Sequence, residues 1–533
     1  MPSHVSTAVA GILIVYMLTR LGKVSKILRS IQYHPVSFLF VGIKSGLNFL
    51  LPRRIPFINL GMNSTIDDKY TRKQTPDRFL TPPQKSGKAF GKGIDVRSFI
   101  SLIPRIESTM DVADAQAIKE VARSGLFVKP MEFYEHFLFY GPNLLVSEGA
   151  LWKKYRKIIG PSFSERNNHL VWNEATRLVL ELMEKWGKEQ TVAISDSRDI
   201  TFPLTLMVFV SAGFGARSSW NDDLVSKNHV MTFQTALRVL VSGLLHKVIF
   251  PEWMSKFSRN LRDIKVAFHE IQSYMGEMIV ERRHQDLQEK HDLLSDLLRA
   301  ESGENSEESL SDQEILGNMF FLLVAGQDTT AHTLTCVLAL LAIYQDEQDK
   351  LFHHIKTVIP DGRVPTYEDM SSLTHTQAVI FETMRLYPII PAIARDAVKD
   401  TTMPVVGSED ETVHIQVIEG TSVILNFAAL HHNPSYWEDP HEFLPERFFK
   451  SWKRDAFLPF STGPRACLGR KFSETEAIAI ITLLVSRYRV DIDDKYFEAN
   501  ETPLQRRTRL LRQKVMVTAG PERVSLVFHR RAV

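Results

Sequence analysis

The spacing of apolar residues predicts that most of the chain is helical. Between residues 173 and 299, apolar residues recur every three or four positions, as from Val179 to Met183 and from Phe268 to Ile271. That period places them on one face of an α-helix. Alternating or β-branched runs predict short strands at Val413–Val417, Thr421–Leu425 and Arg523–Phe528. We therefore expect a mainly α fold with minor β structure.

A long central helix is predicted to begin after residue 311. Ser311 with Glu314 three positions later forms a capping box, which marks a helix start. The helix continues to about Tyr344, on the order of 50 Å at 1.5 Å per residue. Residues 315–325 are apolar nearly all round, which predicts a helix through the protein interior. A transmembrane span is the alternative, but Asp328 argues against it because charge in hydrocarbon is costly.

The N-terminal segment differs from the rest of the chain. Residues 5–19 are uncharged and mostly apolar, and four basic residues follow between Arg20 and Arg29. A bilayer-spanning helix needs about 20 residues, which this run approaches when its neighbours are included. A signal peptide, which carries its positive charge before the apolar run, and a buried helix are the alternatives. For an anchor, the positive-inside rule places the basic flank and the following chain in the cytosol.

We therefore divide the chain into three segments. Residues 1–30 are interpreted as a transmembrane anchor with its basic flank. Residues 31–56 are interpreted as a membrane-proximal segment and hinge, because a second apolar stretch is interrupted by Lys44 and ends in a proline-containing turn. Residues 57–533 are interpreted as one catalytic domain.

Composition narrows the function classes. The 533-residue chain has a net charge of +2, which provides no bulk positive field for nucleic acid. Its two cysteines exclude a disulfide scaffold and suit a reducing compartment. They do not form a C-x-x-C pair, so a cysteine-rich zinc site is not expected.

One of the two cysteines lies in a distinctive run. Residues 460–469 read F-S-T-G-P-R-A-C-L-G, which fits the pattern F-x-x-G-x-R-x-C-x-G. A thiolate needs nearby positive charge and backbone N–H groups, and the run offers both. The alternative is a buried structural cysteine in a turn. The run resembles the haem-binding loop of the cytochromes P450, and similarity to that family extends over about residues 51–533.

The resemblance implies a cytochrome P450 fold with a single catalytic domain that binds haem b. It makes Cys467 the axial ligand of the haem iron, and a thiolate there favours O–O cleavage. It also assigns other residues of the loop to the haem site, namely Phe460, Gly463, Arg465 and Gly469. Further positions that resemble propionate contacts are Trp152, Arg156 and Arg395, because propionates are bound by arginine or an indole N–H. A solvated surface arginine is the alternative for Arg395.

The central helix contains a second motif, A-G-Q-D-T-T, at residues 325–330. Glycine inside a helix costs about 1 kcal/mol unless the space is needed. We expect Gly326 to leave room for a flat macrocycle and dioxygen. The motif resembles the P450 oxygen-activation segment, which implies that Thr329 orients a proton-donating water and that Asp328 supplies it with protons. The alternative is a kinked helix whose threonine bonds back to a carbonyl.

Other residues receive structural interpretations. The sequence Glu382-Thr383-Met384-Arg385 resembles the family's E-x-x-R motif, which with Arg447 forms a structural Glu–Arg–Arg triad. His332 is interpreted as a packed or substrate-facing histidine, because Cys467 already provides the iron ligand. Cys336 is interpreted as a core residue.

The resemblance implies a haem-thiolate monooxygenase that inserts one oxygen atom from O₂ into an apolar small molecule. No flavin domain or dinucleotide fingerprint is visible, so a membrane-bound NADPH–cytochrome P450 reductase is the expected electron donor. We expect a single-pass protein of the endoplasmic reticulum whose catalytic domain faces the cytosol. Basic residues that could contact an acidic flavoprotein are Lys153, Lys154, Lys157, Lys453, Arg470 and Lys471; scattered solvated charges are the alternative.

The substrate class follows from apolar segments predicted to line the pocket, such as residues 389–394. The resemblance is greatest to fungal microsomal P450s of secondary metabolism, which implies a terpenoid-like substrate. Two alternatives remain at this stage. One is a P450-fold isomerase or dehydratase of hydroperoxides, which needs no proton relay, and the other is a non-catalytic haem sensor.

Overall fold

A computed structural model describes residues 36–41, 96–103, 107–220, 228–285, 292–301, 309–406, 411–493, 495, 500–515 and 518–532. The predicted anchor at residues 1–30 lies outside the described residues, as does the predicted hinge except for residues 36–41. The chain divides into two units, which we describe separately. The sheet unit comprises the described parts of residues 1–133, 390–441 and 453–466, and the helical unit those of residues 134–389, 442–452 and 467–533.

The sheet unit contains a mixed six-stranded sheet in the order β1-β2-β3-β9-β6-β4. Its strands are Val36–Val41 (β1), Val96–Ile103 (β2), Glu107–Val112 (β3), Phe127–Val128 (β4), Ala392–Ala397 (β6) and Ser422–Asn426 (β9). β3 and β9 pair in parallel, although they are distant in sequence. A separate antiparallel pair is formed by Thr401–Val406 (β7) and Thr412–Val417 (β8). The helices are Ala115–Arg123 (α1), Met131–Tyr134 (α2), which ends at the start of the helical unit, and Phe427–His431 (α12).

The strands predicted between residues 413 and 425 are confirmed as β8 and β9. In β8 the buried residues Ile415 and Val417 alternate with the exposed His414 and Gln416, because successive side chains of a strand point to opposite faces.

The helical unit contains most of the helices. They are Gly149–Ile159 (α3), Glu165–Trp186 (α4), Arg198–Phe214 (α5), Phe233–Ile249 (α6), Arg259–Arg283 (α7), Leu293–Glu301 (α8), Asp312–Ile343 (α9), Gln345–Val358 (α10), Thr374–Leu386 (α11), Arg470–Arg487 (α13) and Pro503–Leu510 (α14). Its strands are Thr191–Ile194 (β5), Tyr488–Ile492 (β10), Gln513–Val515 (β11), Ala519–Pro521 (β12) and Leu526–Arg530 (β13).

The prediction of mostly helical structure between residues 173 and 299 is confirmed for the described residues, most of which lie in α4 to α8, although the short strand β5 interrupts the helices. This strand pairs antiparallel with β13, and β13 pairs with β10. Residues 191–194 carry too short an alternation to be recognised alone, and their partner lies more than 300 positions later. The sequence analysis did not predict this strand, because its conformation depends on pairing with a distant segment of the chain.

The central helix α9 begins as predicted. The Glu314 N–H donates to Ser311 Oγ at 3.3 Å, and the Ser311 N–H donates to Glu314 Oε2 at 2.8 Å. Lys154 and Tyr155 of α3 also donate to Glu314. The helix is buried over most of its length and packs along α5. Within the described ranges, we find no helix with the length and apolar character needed to cross a bilayer.

Candidate functional site

The predicted cysteine loop begins in the sheet unit, where a tight turn shapes it. Gly463 has φ +75°, and a Cβ atom on it would lie 2.8 Å from the Ala122 carbonyl oxygen at the end of α1. Glycine is therefore required both for its backbone conformation and for this close approach. Phe460 and Arg465 flank the turn and are half-buried. The conformation of the loop thus explains why glycine stands at this position of the pattern.

A histidine that the sequence did not indicate supports the start of the loop. The backbone N–H of Leu458 donates to Nε2 of the buried His431 at 2.8 Å. A neutral His431 must therefore carry its proton on Nδ1. His431 ends the short helix α12, 27 residues before Leu458, so no local motif connects the two.

Arg395, on strand β6 of the same unit, is a buried arginine. Only 5% of its surface is exposed, so the alternative of a solvated surface residue is excluded. Its Nη1 donates to the carbonyl oxygen of Ala394 at 2.8 Å, and no described carboxylate forms an ion pair with it. A buried guanidinium carries five donors and is costly unless an anion compensates its charge. Arg395 therefore suits an anionic group such as a propionate.

Cys467 belongs to the helical unit and lies just before α13. The Cys467 side chain is accessible to solvent, but many protein atoms lie around it. It therefore lines a recess and not the outer surface. Burial raises the pKa of the Cys467 thiol, whereas the Gly469 N–H, Arg156 and Arg470 act in the opposite direction. The positive end of the α13 dipole adds to these groups. The Gly469 N–H and the two arginines can stabilise a thiolate, although burial has the larger effect on the pKa of the free thiol.

The two predicted α3 residues are adjacent in space. The Arg156 guanidinium lies 5.7 Å from the centre of the Trp152 ring, consistent with a cation–π contact. Burial lowers the pKa of Arg156, and the charge of Cys467 raises it. The structure therefore brings Trp152, Arg156 and Cys467 into one neighbourhood of the helical unit.

The middle of α9 presents an accessible stripe. From residue 320 to residue 331, the half-exposed positions are Phe321, Val324, Ala325, Gly326 and Thr329, and the others are buried. Phe321, Ala325 and Thr329 are four residues apart and so share one face. The Thr329 hydroxyl donates to the Ala325 carbonyl at 2.9 Å, as in the alternative interpretation of this segment. Its oxygen retains lone pairs that can accept a hydrogen bond from water.

The role predicted for Gly326 needs correction. A Cβ atom on Gly326 would lie 2.3 Å from ring carbons of Phe209 on α5. The missing side chain therefore allows α5 to pack closely against α9 and does not leave open space on that side for a macrocycle or dioxygen. For Gly326, unlike the other predicted cofactor contacts, the structure gives a different reason for the residue type, namely the packing of two helices.

Asp328 is buried, with only 3% of its surface exposed. Its Oδ2 accepts a hydrogen bond from the Thr518 hydroxyl at 2.5 Å, and its Oδ1 lies 3.8 Å from His332 Nε2. Burial raises the pKa of the Asp328 carboxyl. The charge of His332 and the hydrogen bond from Thr518 have the opposite, smaller effect on this pKa. No direct hydrogen bond links the Asp328 carboxyl to the Thr329 hydroxyl among the described contacts. Proton transfer between them therefore requires an intervening water.

The predicted Glu–Arg–Arg contacts are present in the helical unit. Glu382 accepts two hydrogen bonds from Arg385, at 2.7 and 2.8 Å, and one from Arg447 Nε at 3.1 Å. Glu382 and Arg385 are fully buried. The Leu444 N–H also donates to Glu382, and Arg385 donates to the Glu442 carbonyl. The cluster fixes residues 442–447 to α11, which is a structural role.

Two small cavities of the helical unit lie beside α5. One, of about 310 Å³, is open to solvent and lies between α4 and the start of α5, away from Cys467. The other, of about 50 Å³, is lined by α5, α6 and Gln327 of α9, and Leu206 and Leu237 are among the lining residues. Its volume is well below the roughly 300–1,000 Å³ of small-molecule sites. We therefore assign no substrate to either cavity.

Comparison with known proteins identifies the family. The sequence model of the cytochrome P450 family matches residues 97–515. Cytochrome P450 monooxygenase 124 of Postia placenta is 41% identical over 507 residues, covering 94% of each chain. The chain belongs to the cytochrome P450 family.

Two further relatives show the breadth of that family. A cyclooctat-9-en-7-ol 5-monooxygenase of Streptomyces melanosporofaciens is 31% identical, covering 66% of this chain and 73% of the relative. A ganoderic acid synthetase of Ganoderma lucidum is 28% identical, covering 69% of this chain and 76% of the relative. The protein is therefore a cytochrome P450 monooxygenase, and its mainly helical fold with minor sheet is as expected for this P450. The family also implies a haem bound through a thiolate.

Proposed function

We propose that this P450 binds haem through Cys467 and oxidises an apolar small molecule related to the terpenoids. The observation that carries the proposal is the environment of Cys467, an accessible thiol at a helix start that faces the Gly469 N–H and the charge of Arg156. The same residues would hold a haem-thiolate. Arg156 and the buried Arg395 are suited to bind propionates, as is Arg465 by its place in the loop, and Trp152 offers an indole N–H.

Bound haem would activate O₂. The residues of this chain would deliver protons and position the water and the substrate. Thr329 would position a water on the accessible stripe, since its own hydroxyl is fixed to Ala325. Asp328, whose pKa is raised by burial, would give a proton to that water. The intact acid and hydroxyl favour oxygen activation over the isomerase alternative, which needs no relay.

An apolar substrate is supported by the stripe and by one relative. Phe321, Val324 and Ala325 present aromatic and aliphatic surface beside Thr329. A site of this composition binds mainly by burial of apolar area. The relative named for cyclooctat-9-en-7-ol acts, by that name, on a hydrocarbon skeleton with one hydroxyl group. A fungal secondary metabolite of similar polarity fits the proposal, given the fungal monooxygenase that matches nearly the whole chain.

The electron donor in this proposal is an NADPH–cytochrome P450 reductase with an acidic docking face. Within the helical unit, Lys153, Lys157 and Lys471 are exposed and could contact it. The expectation for Lys154 is corrected. Its ammonium group forms an ion pair with Glu314 at 3.1 Å and helps to cap α9, so it is not placed among the reductase contacts. Arg470 is exposed and pairs with Glu474 at 2.8 Å. Lys453 is exposed in the sheet unit.

We further propose attachment to the endoplasmic reticulum through residues 1–30, with the catalytic part in the cytosol. Two exposed aromatic residues after α6, Trp253 and Phe257, support contact with a lipid surface. Interfacial binding scales with such exposed apolar area. Sedimentation of the full chain with microsomes, lost on removal of residues 1–30, tests the anchor; a fully soluble full-length protein would contradict it.

Turnover with product mass analysis tests the proposed reaction. The purified protein, a fungal P450 reductase and NADPH are incubated with a panel of terpenoids and steroids. We expect a product that has gained one oxygen atom derived from ¹⁸O₂. An isomerised hydroperoxide formed without NADPH would support the isomerase alternative. Haem binding without any turnover across the panel would favour the sensor.

Replacing Thr329 with alanine is expected to separate NADPH consumption from product formation. The variant loses the hydroxyl that positions the water, so reduced oxygen escapes as peroxide before it is used. Coupling should fall by about tenfold or more, in line with the usual contribution of a positioned proton donor. Thr329→Ser should retain most of the coupling. Unchanged coupling in Thr329→Ala would remove Thr329 from the relay.

A further inference from the structure

The acid of the relay has a titratable neighbour that the sequence interpretation set aside. His332 lies one helical turn beyond Asp328 on α9, with Nε2 at 3.8 Å from Asp328 Oδ1. The distance is slightly longer than a hydrogen bond, so a small side-chain rotation would close it. An imidazole is suited to exchange protons near neutral pH. The pair is thus arranged for proton transfer from His332 to Asp328.

The surroundings of His332 hold its ring in this orientation. The ring packs edge-on against Phe202 with the ring centres 4.9 Å apart. On its other side lies the backbone of Gly520 in β12, so close that a Cβ atom there would be 1.9 Å from Nδ1. Nδ1 is buried and has no hydrogen-bond partner among the described residues. The packing of Gly520 against Nδ1 leaves Nε2, which faces Asp328, as the nitrogen that can exchange protons.

The charged groups that influence His332 include a partly exposed pair at the start of α5. The charged groups that act on His332 are Asp328 on its own helix and the Arg198–Asp196 pair. Arg198 and Asp196 contact each other at 2.6 Å and are partly exposed. Burial lowers the pKa of His332, and the Asp328 carboxylate raises it. The hairpin of β11 and β12 contributes the uncharged Thr518 and Gly520.

We propose that His332 is the proton donor that reloads Asp328, and that Thr518 is a positioning residue that holds the Asp328 carboxyl for this transfer. The proposal rests on the proposed role of Asp328 in proton delivery. It places the entry of protons on the side of α9 that faces α5 and the C-terminal hairpin.

One proton moves through each step of this transfer. After Asp328 has given its proton to the water at Thr329, it is a carboxylate. Nδ1 of His332 keeps its proton throughout, because it is enclosed by Gly520. Nε2 takes a proton from a hydronium ion or buffer acid, and the ring becomes an imidazolium. The Nε2–H bond then breaks as the Oδ1–H bond forms, which leaves Asp328 protonated and His332 neutral. No electron or further reactant is needed.

Thr518 has a separate part in this arrangement. Its hydroxyl donates to Oδ2, so Oδ1 is the oxygen left facing His332. Without that bond the carboxyl can rotate, and the transfer geometry is lost. Thr518 precedes β12, whose first residue, Ala519, donates its N–H to the Ile389 carbonyl at 2.8 Å. The hairpin is therefore fixed independently of Asp328.

The experiment compares His332→Gln with His353→Gln, an exposed histidine on α10. The substitution in both is the same, and only the first removes a titratable group beside Asp328. We expect His332→Gln to lower the coupling of NADPH use to product by at least about tenfold at alkaline pH and less at acidic pH, where hydronium can replace the shuttle. The solvent deuterium isotope effect on product formation should rise. His353→Gln should match the wild type.

A second measurement does not depend on turnover. Infrared spectra of the resting protein, with Asp328→Asn as the reference, identify the carbonyl band of the protonated Asp328. We expect Thr518→Val to shift this band to higher frequency because a hydrogen bond is lost, and Thr518→Ser to restore it. We expect Thr518→Val to reduce coupling as His332→Gln does, with Thr518→Ser again restoring it.

The outcomes separate this inference from the proposed function. If Asp328→Asn leaves coupling unchanged, the Asp328 relay itself is overturned. If Asp328→Asn uncouples the enzyme but His332→Gln keeps the wild-type coupling, pH profile and isotope effect, only the role of His332 is overturned. An unshifted band with wild-type coupling in Thr518→Val overturns the positioning role. The haem spectrum of each variant checks that it is folded.

Discussion

Replacing Cys467 with serine is expected to abolish monooxygenation. A serine hydroxyl at this position remains protonated, and it can provide neither the bond nor the electron density that a thiolate provides to haem iron. The purified variant, reduced and treated with carbon monoxide, should lack the absorption typical of thiolate ligation. Product formation with reductase and NADPH should fall to background.

The same substitution at the other cysteine is the matched control. Cys336 is fully buried on α9, and burial raises the pKa of its thiol to about 12, so it stays neutral. Cys336→Ser buries a hydroxyl in place of a thiol that accepts from Gln513 Nε2 at 3.7 Å, and it should cost about 1–3 kcal/mol of stability. It should nevertheless retain the thiolate-type carbon monoxide spectrum. A normal spectrum in Cys467→Ser, or its loss only in Cys336→Ser, would contradict the assignment of the ligand.

Structure was easiest to predict from the sequence at positions where chemistry or local geometry permits few residue types. Gly463 needs both a positive φ and the absence of a Cβ atom, so it leaves a visible signature in the loop. The Ser311–Glu314 capping box depends on contacts within one helical turn, and both hydrogen bonds are present. The Glu382–Arg385 pair is likewise one turn apart, and only the position of Arg447 depends on the remainder of the fold.

Contacts between distant segments could not be predicted in the same way. Gly326 looked like space for a cofactor, but the space is filled by Phe209, about 120 residues earlier in the chain. Thr518 carries no motif, yet it holds Asp328 across 190 positions. His332 was interpreted as packed or substrate-facing because Cys467 already provides the iron ligand, and the sequence does not show that its Nε2 lies 3.8 Å from Asp328 Oδ1. Lys154 was counted with the surface lysines because its partner, Glu314, lies on another helix.

Glu382→Gln is expected to be the most destabilising of the single changes considered for the helical unit. The substitution removes the negative charge that compensates Arg385, whose side chain is fully buried, and it weakens the bond to Arg447. Removing one partner of a buried ion pair typically costs about 3–5 kcal/mol, because the other charge is left uncompensated. We expect a loss of this size in the free energy of unfolding, measured by urea titration followed by tryptophan fluorescence, together with poor haem incorporation.

Glu301→Gln provides the comparison on a surface pair of the same unit. Glu301 accepts from Arg283 at 2.6 Å, but both side chains are about one-third exposed, at 34% and 36%. Exposed pairs contribute at most about 1 kcal/mol, because water solvates either charge when the other is removed. The difference between the two variants therefore isolates burial as the cause. Equal losses in both, or a small loss in Glu382→Gln, would mean that Arg385 is compensated by the Glu442 carbonyl and not by the carboxylate.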